Sequence, residues 1–186
     1  MYETLALVGA TGAVGRIVLE QLVQREFPYK RLKLLASQRS VGREVRVGGE
    51  TITVELLEPG AFKDIDLVIA STPDEVSAEF APWAVESGSV VVDESGFWRM
   101  DPKVPLIIPE VNPEAIDAHQ GIIASPNCST TQMVVALAPL HRAAKVKRVV
   151  VSTYQATSGA GLSGNEELHD SVRCALTGQV HPPSTF

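Results

Sequence analysis

The sequence predicts an α/β protein built on a doubly wound, mostly parallel sheet, and three observations carry that reading. Short apolar runs at residues 5–8, 32–36, 67–70, 90–92 and 122–124 alternate with segments of helical periodicity. The first run leads directly into a glycine-rich turn, Gly9-Ala10-Thr11-Gly12-Ala13-Val14-Gly15. The chain has 186 residues, 45% of them hydrophobic, enough to bury a sizeable core in one to two domains.

Taken in order, residues 5–8 read as a buried strand and residues 14–27 as a helix that stops before Pro28. Residues 32–36 form a second buried strand. Residues 45–47 and 51–56 alternate around Gly48-Gly49, the signature of a two-residue hairpin. After the strand at 67–70, residues 73–85 look helical, with Asp74 and Glu75 in the first turn. The strand at 90–92 ends in Asp93, and residues 94–113, rich in Pro and Gly, are irregular apart from a short strand at 106–108. A strand at 122–124 enters a cysteine-bearing turn. Residues 129–143 are helical, with Pro139 expected to kink or end the helix. A Val- and Thr-rich strand at 149–157 and an amphipathic helix at 166–176, with Gly178 just past its end, complete the chain.

Composition excludes several classes. The net charge is −6 with no basic block, which argues against nucleic acid as a partner. No apolar run approaches the roughly 18 residues of a membrane span. Met1-Tyr2-Glu3-Thr4 leads straight into a strand without the regions of a signal peptide. Two cysteines make no disulfide framework, and a reduced, cytoplasmic setting is expected. His119, His141, His169 and His181 show no metal-ligand spacing, so no metal is expected.

Two motifs carry chemistry. Gly9, Gly12 and Gly15, with Thr11, Ala13 and Val14 between them, suit a turn whose backbone N–H groups approach a pyrophosphate at a helix N-terminus, although the same spacing also serves plain strand–helix connections. About 20 residues on, where an acid would hold the ribose 2′-hydroxyl of NAD, the chain has Leu35-Ala36 followed by Ser37-Gln38-Arg39-Ser40. Two hydroxyls and a guanidinium suit a 2′-phosphate, which favours NADP. The second motif is Ser125-Pro126-Asn127-Cys128-Ser129-Thr130-Thr131-Gln132. It places Cys128 at a helix start, where unpaired N–H groups favour a nucleophilic thiolate. Cys174, inside the amphipathic helix, reads instead as a buried, inert thiol. Gln155 is a polar amide among small residues, and Ser158-Gly159-Ala160-Gly161 ends that strand as a turn able to approach a cofactor or merely to turn the chain. By itself Arg99 is a single cation in an irregular loop.

Taken together, these segments resemble aspartate-semialdehyde dehydrogenases over essentially the whole chain. Residues 9–15 match that family's nucleotide loop, residues 36–42 its 2′-phosphate segment, residues 125–132 its active-cysteine motif and residues 152–161 the strand bearing its glutamine. Arg99-Met100-Asp101-Pro102 and the stretch 104–112 fit as well. The resemblance implies a Rossmann-type NADP-binding domain at residues 1–127, followed at 128–186 by the beginning of an α+β catalytic/dimerisation domain. It implies NADPH-dependent reduction of L-aspartyl 4-phosphate to the semialdehyde, feeding lysine, methionine and threonine synthesis, in a homodimer. Cys128 inherits the nucleophile role, Gln155 and Asn127 substrate positioning, and Arg99 contact with the substrate phosphate. Two departures stand out. Glu94 occupies a position where the family usually has Asn, and Phe97-Trp98 replaces Ala-Phe. The family's histidine acid/base and carboxylate-binding arginine have no counterpart, so the chain reads as a fragment that turns over slowly or not at all alone. A related acyl-phosphate reductase, such as N-acetyl-glutamyl-phosphate reductase, and a nucleotide-binding module without turnover are the competing readings.

Overall fold

The computed structural model describes residues 2–182, which divide between Arg148 and Val149 into two compact units. The first holds β1 (Tyr2–Val8), α1 (Ala13–Gln24), β2 (Tyr29–Ala36), β3 (Glu44–Val47), β4 (Glu50–Leu56), β5 (Leu67–Ala70), α2 (Asp74–Glu86), β6 (Val90–Asp93), β7 (Ile122–Ala124) and α3 (Cys128–Ala144). The sheet runs β3-β4-β2-β1-β5-β6-β7, and every neighbouring pair is parallel except β3 and β4. This is the doubly wound α/β architecture expected. The central strand shows why the sequence chooses it. Leu5 and Leu7 pack on one face with Leu19 and Leu22 of α1, while Ala6 and Val8 pack on the other with Phe80, Ala81 and Ala84 of α2. All four β1 residues are fully buried, so an unbroken apolar run, rather than an alternating one, is what a strand covered on both faces requires.

The hairpin of β3 and β4 pairs Val47 with Glu50 across Gly48 and Gly49, whose φ values of 56° and 96° meet the demand of a type I′ turn. Helix α1 ends at Gln24 rather than near Phe27. Glu26 adopts a left-handed φ of 48°, and the Phe27 N–H returns to the Leu22 carbonyl at 3.0 Å, closing the helix early. The strand expected at 106–108 reduces to one bridge between Leu106 and Ala124. Prolines 105 and 109 flank it, and the Ile108 N–H is taken by Asn112 Oδ1 at 2.9 Å instead of by a strand. Helix α3 continues through Pro139 to Ala144, so Pro139 does not end it. The Ala- and Leu-rich flanks keep helical dihedrals on both sides, and Lys145 closes the end at a left-handed φ of 55°.

In the second unit, the strand expected at 149–157 does not form. Among the described residues, that unit holds a 3₁₀ turn, Thr157–Ala160, and α4, Gly161–Leu176, but no strand to pair with, and Val150 and Tyr154 are 80% and 99% exposed. Helix α4 starts five residues ahead of the expected 166. It ends as expected: Gly178, at a φ of 75°, follows it, and the Gln179 N–H returns to the Cys174 carbonyl at 2.8 Å. Among the described residues no helix is long and apolar enough to cross a membrane.

Candidate functional site

The parallel register sets the site. Val8, Ala70, Asp93 and Ala124 lie in one row across β1, β5, β6 and β7. The next residue of each strand extends the ladder: Ser71 N–H bonds the Val8 carbonyl at 3.1 Å, Glu94 N–H that of Ala70 at 3.1 Å, and Ser125 N–H that of Asp93 at 2.8 Å. Gly9, Ser71, Glu94 and Ser125 therefore line the carboxyl edge of the sheet. Strand order reverses between β1 and β5, and ligands of doubly wound sheets sit outside the carboxyl ends at such a switch point.

The glycine loop is built for close approach. Gly9 has a φ of 85°, and a Cβ there would fall 2.1 Å from the Ser71 carbonyl oxygen; a Cβ on Gly15 would fall 2.3 Å from the Gly9 oxygen. Gly12 caps α1 without a side chain, and no acid occupies the first turn, so the N–H groups of Ala13 and Val14 face a site suited to an anion. The loop is tied to the end of β2, where Thr11 Oγ1 lies 3.1 Å from Ser40 Oγ. Ser40 is buried at this contact, whereas Ser37 and Arg39 are exposed beside it. At the end of β5 the Thr72 hydroxyl is buried with no hydrogen-bond partner among the described residues, and its methyl would stand 3.4 Å from a Cβ on Gly9. These residues fit a dinucleotide: an uncapped helix start, a cradle only glycine can line, a basic turn beyond β2 without an acid, and an orphaned hydroxyl.

The cysteine turn lies three strands from β1, about 14 Å at the usual strand spacing. Cys128 is the first residue of α3 and is exposed. Asn127 caps the helix: its Oδ1 accepts from Ser129 N (3.1 Å), Ser129 Oγ (2.6 Å) and Thr130 N (3.4 Å). Arg99, in the 3₁₀ turn Phe97–Met100, donates from Nε to the Ser125 carbonyl at 2.9 Å and from Nη2 to the Glu94 carbonyl at 2.7 Å. It thus ties the end of β6 to the turn that presents the thiol. Gln155, Ser158 and Gly159 belong to the second unit, with Gln155 outside any helix or strand and the other two in the Thr157–Ala160 turn. Cys174 of α4 is half-buried rather than fully buried.

A scan of protein families matches residues 4–119 to the NAD binding domain of semialdehyde dehydrogenases and residues 137–186 to their dimerisation domain. The chain belongs to the semialdehyde dehydrogenase family. An aspartate-semialdehyde dehydrogenase of Synechocystis is 48% identical over 176 residues, covering 95% of this chain and 52% of that protein. The solved structure of aspartate semialdehyde dehydrogenase II from Vibrio cholerae, complexed with ASA, superposes with a TM-score of 0.92 at 44% identity, covering all of this chain and 56% of the other. The enzyme of Candida albicans, solved with NADP, superposes with a TM-score of 0.67 at 27% identity, covering 78% of this chain and 48% of that one. The chain spans about half the length of the curated relatives it matches.

One part of the candidate site escaped sequence reasoning. Asp93 is fully buried and accepts from Ser77 Oγ at 2.6 Å, from Ser95 N at 2.9 Å and from the Ser95 hydroxyl. Trp98 Nε1 donates to Ser77 Oγ at 2.9 Å, and Asp74 at the start of α2 accepts from Gly96 N at 2.7 Å. This network locks the loop bearing Arg99 onto α2. The signal was an acid closing an apolar strand, since a buried carboxylate needs several donors nearby. It also accounts for Trp98, whose ring packs edge-on against Phe97 with centroids 4.8 Å apart.

Glu94 is half-buried. Burial raises its pKa above the ordinary glutamate value. The Ser71 side chain opposes that rise, Asp93 adds to it, and Arg99 opposes it. The Glu94 N–H bonds the Ala70 carbonyl, which sets the residue beside Ser71 at the sheet edge.

Proposed function

We propose that the chain carries the nucleotide site and the nucleophile of an enzyme that reduces L-aspartyl 4-phosphate to L-aspartate 4-semialdehyde, releasing phosphate, with NADPH as reductant. The observation that carries this reading is the single row at the sheet edge, with the dinucleotide loop at one end and an exposed cysteine at a capped helix start at the other. Gly9, Gly12 and Gly15 shape the loop, the N–H groups of Gly9 and Gly12 being held by the Leu35 and Gly9 carbonyls, and the pyrophosphate meets the N–H groups of Ala13 and Val14 at the start of α1, with Thr11 beside them. Ser37 and Arg39 meet the 2′-phosphate, and Ser40 braces their turn against Thr11. For Ser158 and Gly159, in the second unit, a cofactor role rests on the family resemblance alone. NADPH supplies the hydride when bound.

Cys128 Sγ attacks the acyl carbon, the C–S bond forms, and the C–O bond to phosphate breaks, leaving a thioester on Cys128. Hydride addition to that carbon gives a hemithioacetal, which collapses to the aldehyde and returns the thiolate. The N–H groups of Ser129 and Thr130 are taken by the Asn127 cap, so it is the positive end of the α3 dipole, where Cys128 sits, that favours the developing oxyanion. Asn127 positions the substrate, and the Nη1 edge of Arg99, the one not used on the two carbonyls, meets the phosphate; for Gln155, in the second unit, a positioning role rests on the family resemblance alone. Residues 1–127 form the nucleotide domain, and residues 128–186 begin the catalytic and dimerisation part of a cytoplasmic homodimer. The test is acyl transfer from L-aspartyl 4-phosphate in the absence of nucleotide: an adduct at Cys128 supports the reading, and acylation of the chain that persists unchanged in Cys128→Ala overturns it.

A further inference from the structure

We propose that Glu94 reads the redox state of the nicotinamide ring, so that its ionised carboxylate holds NADP⁺ more tightly than NADPH. The inference rests on the nucleotide-binding reading above and adds a residue to it. Three placements carry it. First, the row Gly9, Ser71, Glu94, Ser125 puts Glu94 between the glycine loop and the cysteine turn. Second, Arg39 and Ser37 at the end of β2 draw the adenosine half to that side of the switch point, so the nicotinamide half extends the other way, over β5 and β6. A hydride donor serving a thioester on Cys128 must lie in this gap. Third, Glu94 is half-buried at the sheet edge next to Ser71, whose carbonyl oxygen lies 2.1 Å from where a Cβ on Gly9 would fall, so the residue borders the nucleotide loop.

The oxidised ring carries a positive charge that the reduced ring lacks. A carboxylate beside it therefore discriminates between the two, and a protonated carboxyl does not. The charged groups around Glu94 are Asp93 on its own strand and Arg99 on the following turn, while Asp74 from α2 is turned to the Gly96 N–H. Because Glu94 titrates above the ordinary range, part of the population is neutral under conditions where an exposed glutamate is fully charged. By linkage, NADP⁺ binding drives a proton off Glu94 and NADPH binding does so less.

The test is calorimetric titration of the 186-residue chain and of Glu94→Gln with NADP⁺ and with NADPH across the acid-to-neutral range. Both nucleotides carry the same 2′-phosphate, so its own titration cancels in the comparison. In the unmodified chain the preference for NADP⁺ is expected to grow about tenfold as pH rises through the Glu94 titration, the size of one close charge contact. NADP⁺ binding should release more protons than NADPH binding, measured in buffers of different ionisation enthalpy. In Glu94→Gln the preference should be smaller and flat with pH. A pH-independent preference in the unmodified chain, or an unchanged profile in Glu94→Gln, overturns the inference while leaving nucleotide binding intact. Binding of neither nucleotide overturns the nucleotide reading itself. Should the variant fail to fold, the difference in proton release by the unmodified chain decides alone.

Discussion

Arg99 Nε donates to the Ser125 carbonyl at 2.9 Å, three residues ahead of Cys128, while its Nη2 holds the Glu94 carbonyl at 2.7 Å. One guanidinium fixes both walls of the gap where chemistry is proposed. Lysine would keep the charge but cannot span two carbonyls in this geometry. Arg99→Lys is therefore expected to lower stability by about 1.5–3 kcal/mol, the range for hydrogen bonds involving a charged group. It should also change the alkylation rate of Cys128 while leaving that of Cys174 alone. Denaturant unfolding and timed iodoacetamide labelling measure both, and a stability equal to the unmodified chain would show that the clamp is idle.

Gly9 and Gly42 both adopt positive φ, at 85° and 81°, yet only Gly9 is crowded: a Cβ meets backbone at 2.1 Å, whereas Gly42 has open space. Gly42→Ala should cost about 1–2 kcal/mol, from the left-handed conformation alone. Gly9→Ala adds about 1–3 kcal/mol of overpacking and should abolish nucleotide binding. Thermal melts and nucleotide titration of the two variants separate crowding from conformation.

Arg39 is exposed beside the loop, with no acid at the end of β2. NADPH should bind more tightly than NADH, and Arg39→Ala should narrow the gap by about 1.5–3 kcal/mol, roughly ten- to a hundredfold in affinity. Equal binding of the two nucleotides by the unmodified chain would contradict the assignment.

The raised pKa of Glu94 has a definite sign for stability. In the acid-side window between its unfolded and folded pKa values the native state binds the extra proton, so stability falls as pH rises through the folded value. Glu94→Gln keeps the shape and removes this slope. The stability of the variant relative to the parent should therefore rise with pH across that window and level off above it, as read from denaturant midpoints at several pH values.

Much of this was legible in the residues because each strand of the sheet advertises itself. Unbroken apolar runs mark doubly covered strands, Gly48-Gly49 marks the hairpin, and Gly9, Gly12 and Gly15 mark the loop. The segment 149–157 misled because β-branched composition measures the fitness of a surface for pairing, and pairing needs a partner strand. Pro139 misled because a single lost hydrogen bond does not end a helix whose flanks are strong formers. The Asp93–Ser77–Trp98 network was invisible because its members are separated by up to 21 positions and meet only once α2 folds over β6. Glu94 could be seen as an oddity in the sequence, but its place beside Ser71, between the glycine loop and the cysteine turn, needed the sheet register.

The central claim is that Cys128 is the nucleophile, and the most direct measurement is the site of acylation by L-aspartyl 4-phosphate. The chain is incubated with the acyl phosphate without nucleotide, quenched in acid, digested and analysed by mass spectrometry, with hydroxylamine treatment to reveal thioesters. The account predicts a hydroxylamine-labile aspartyl adduct on the peptide containing Cys128, absent in Cys128→Ala and not found on Cys174. An adduct on Cys174, or a chain that stays unacylated while its Cys128 is freely alkylated, would contradict it.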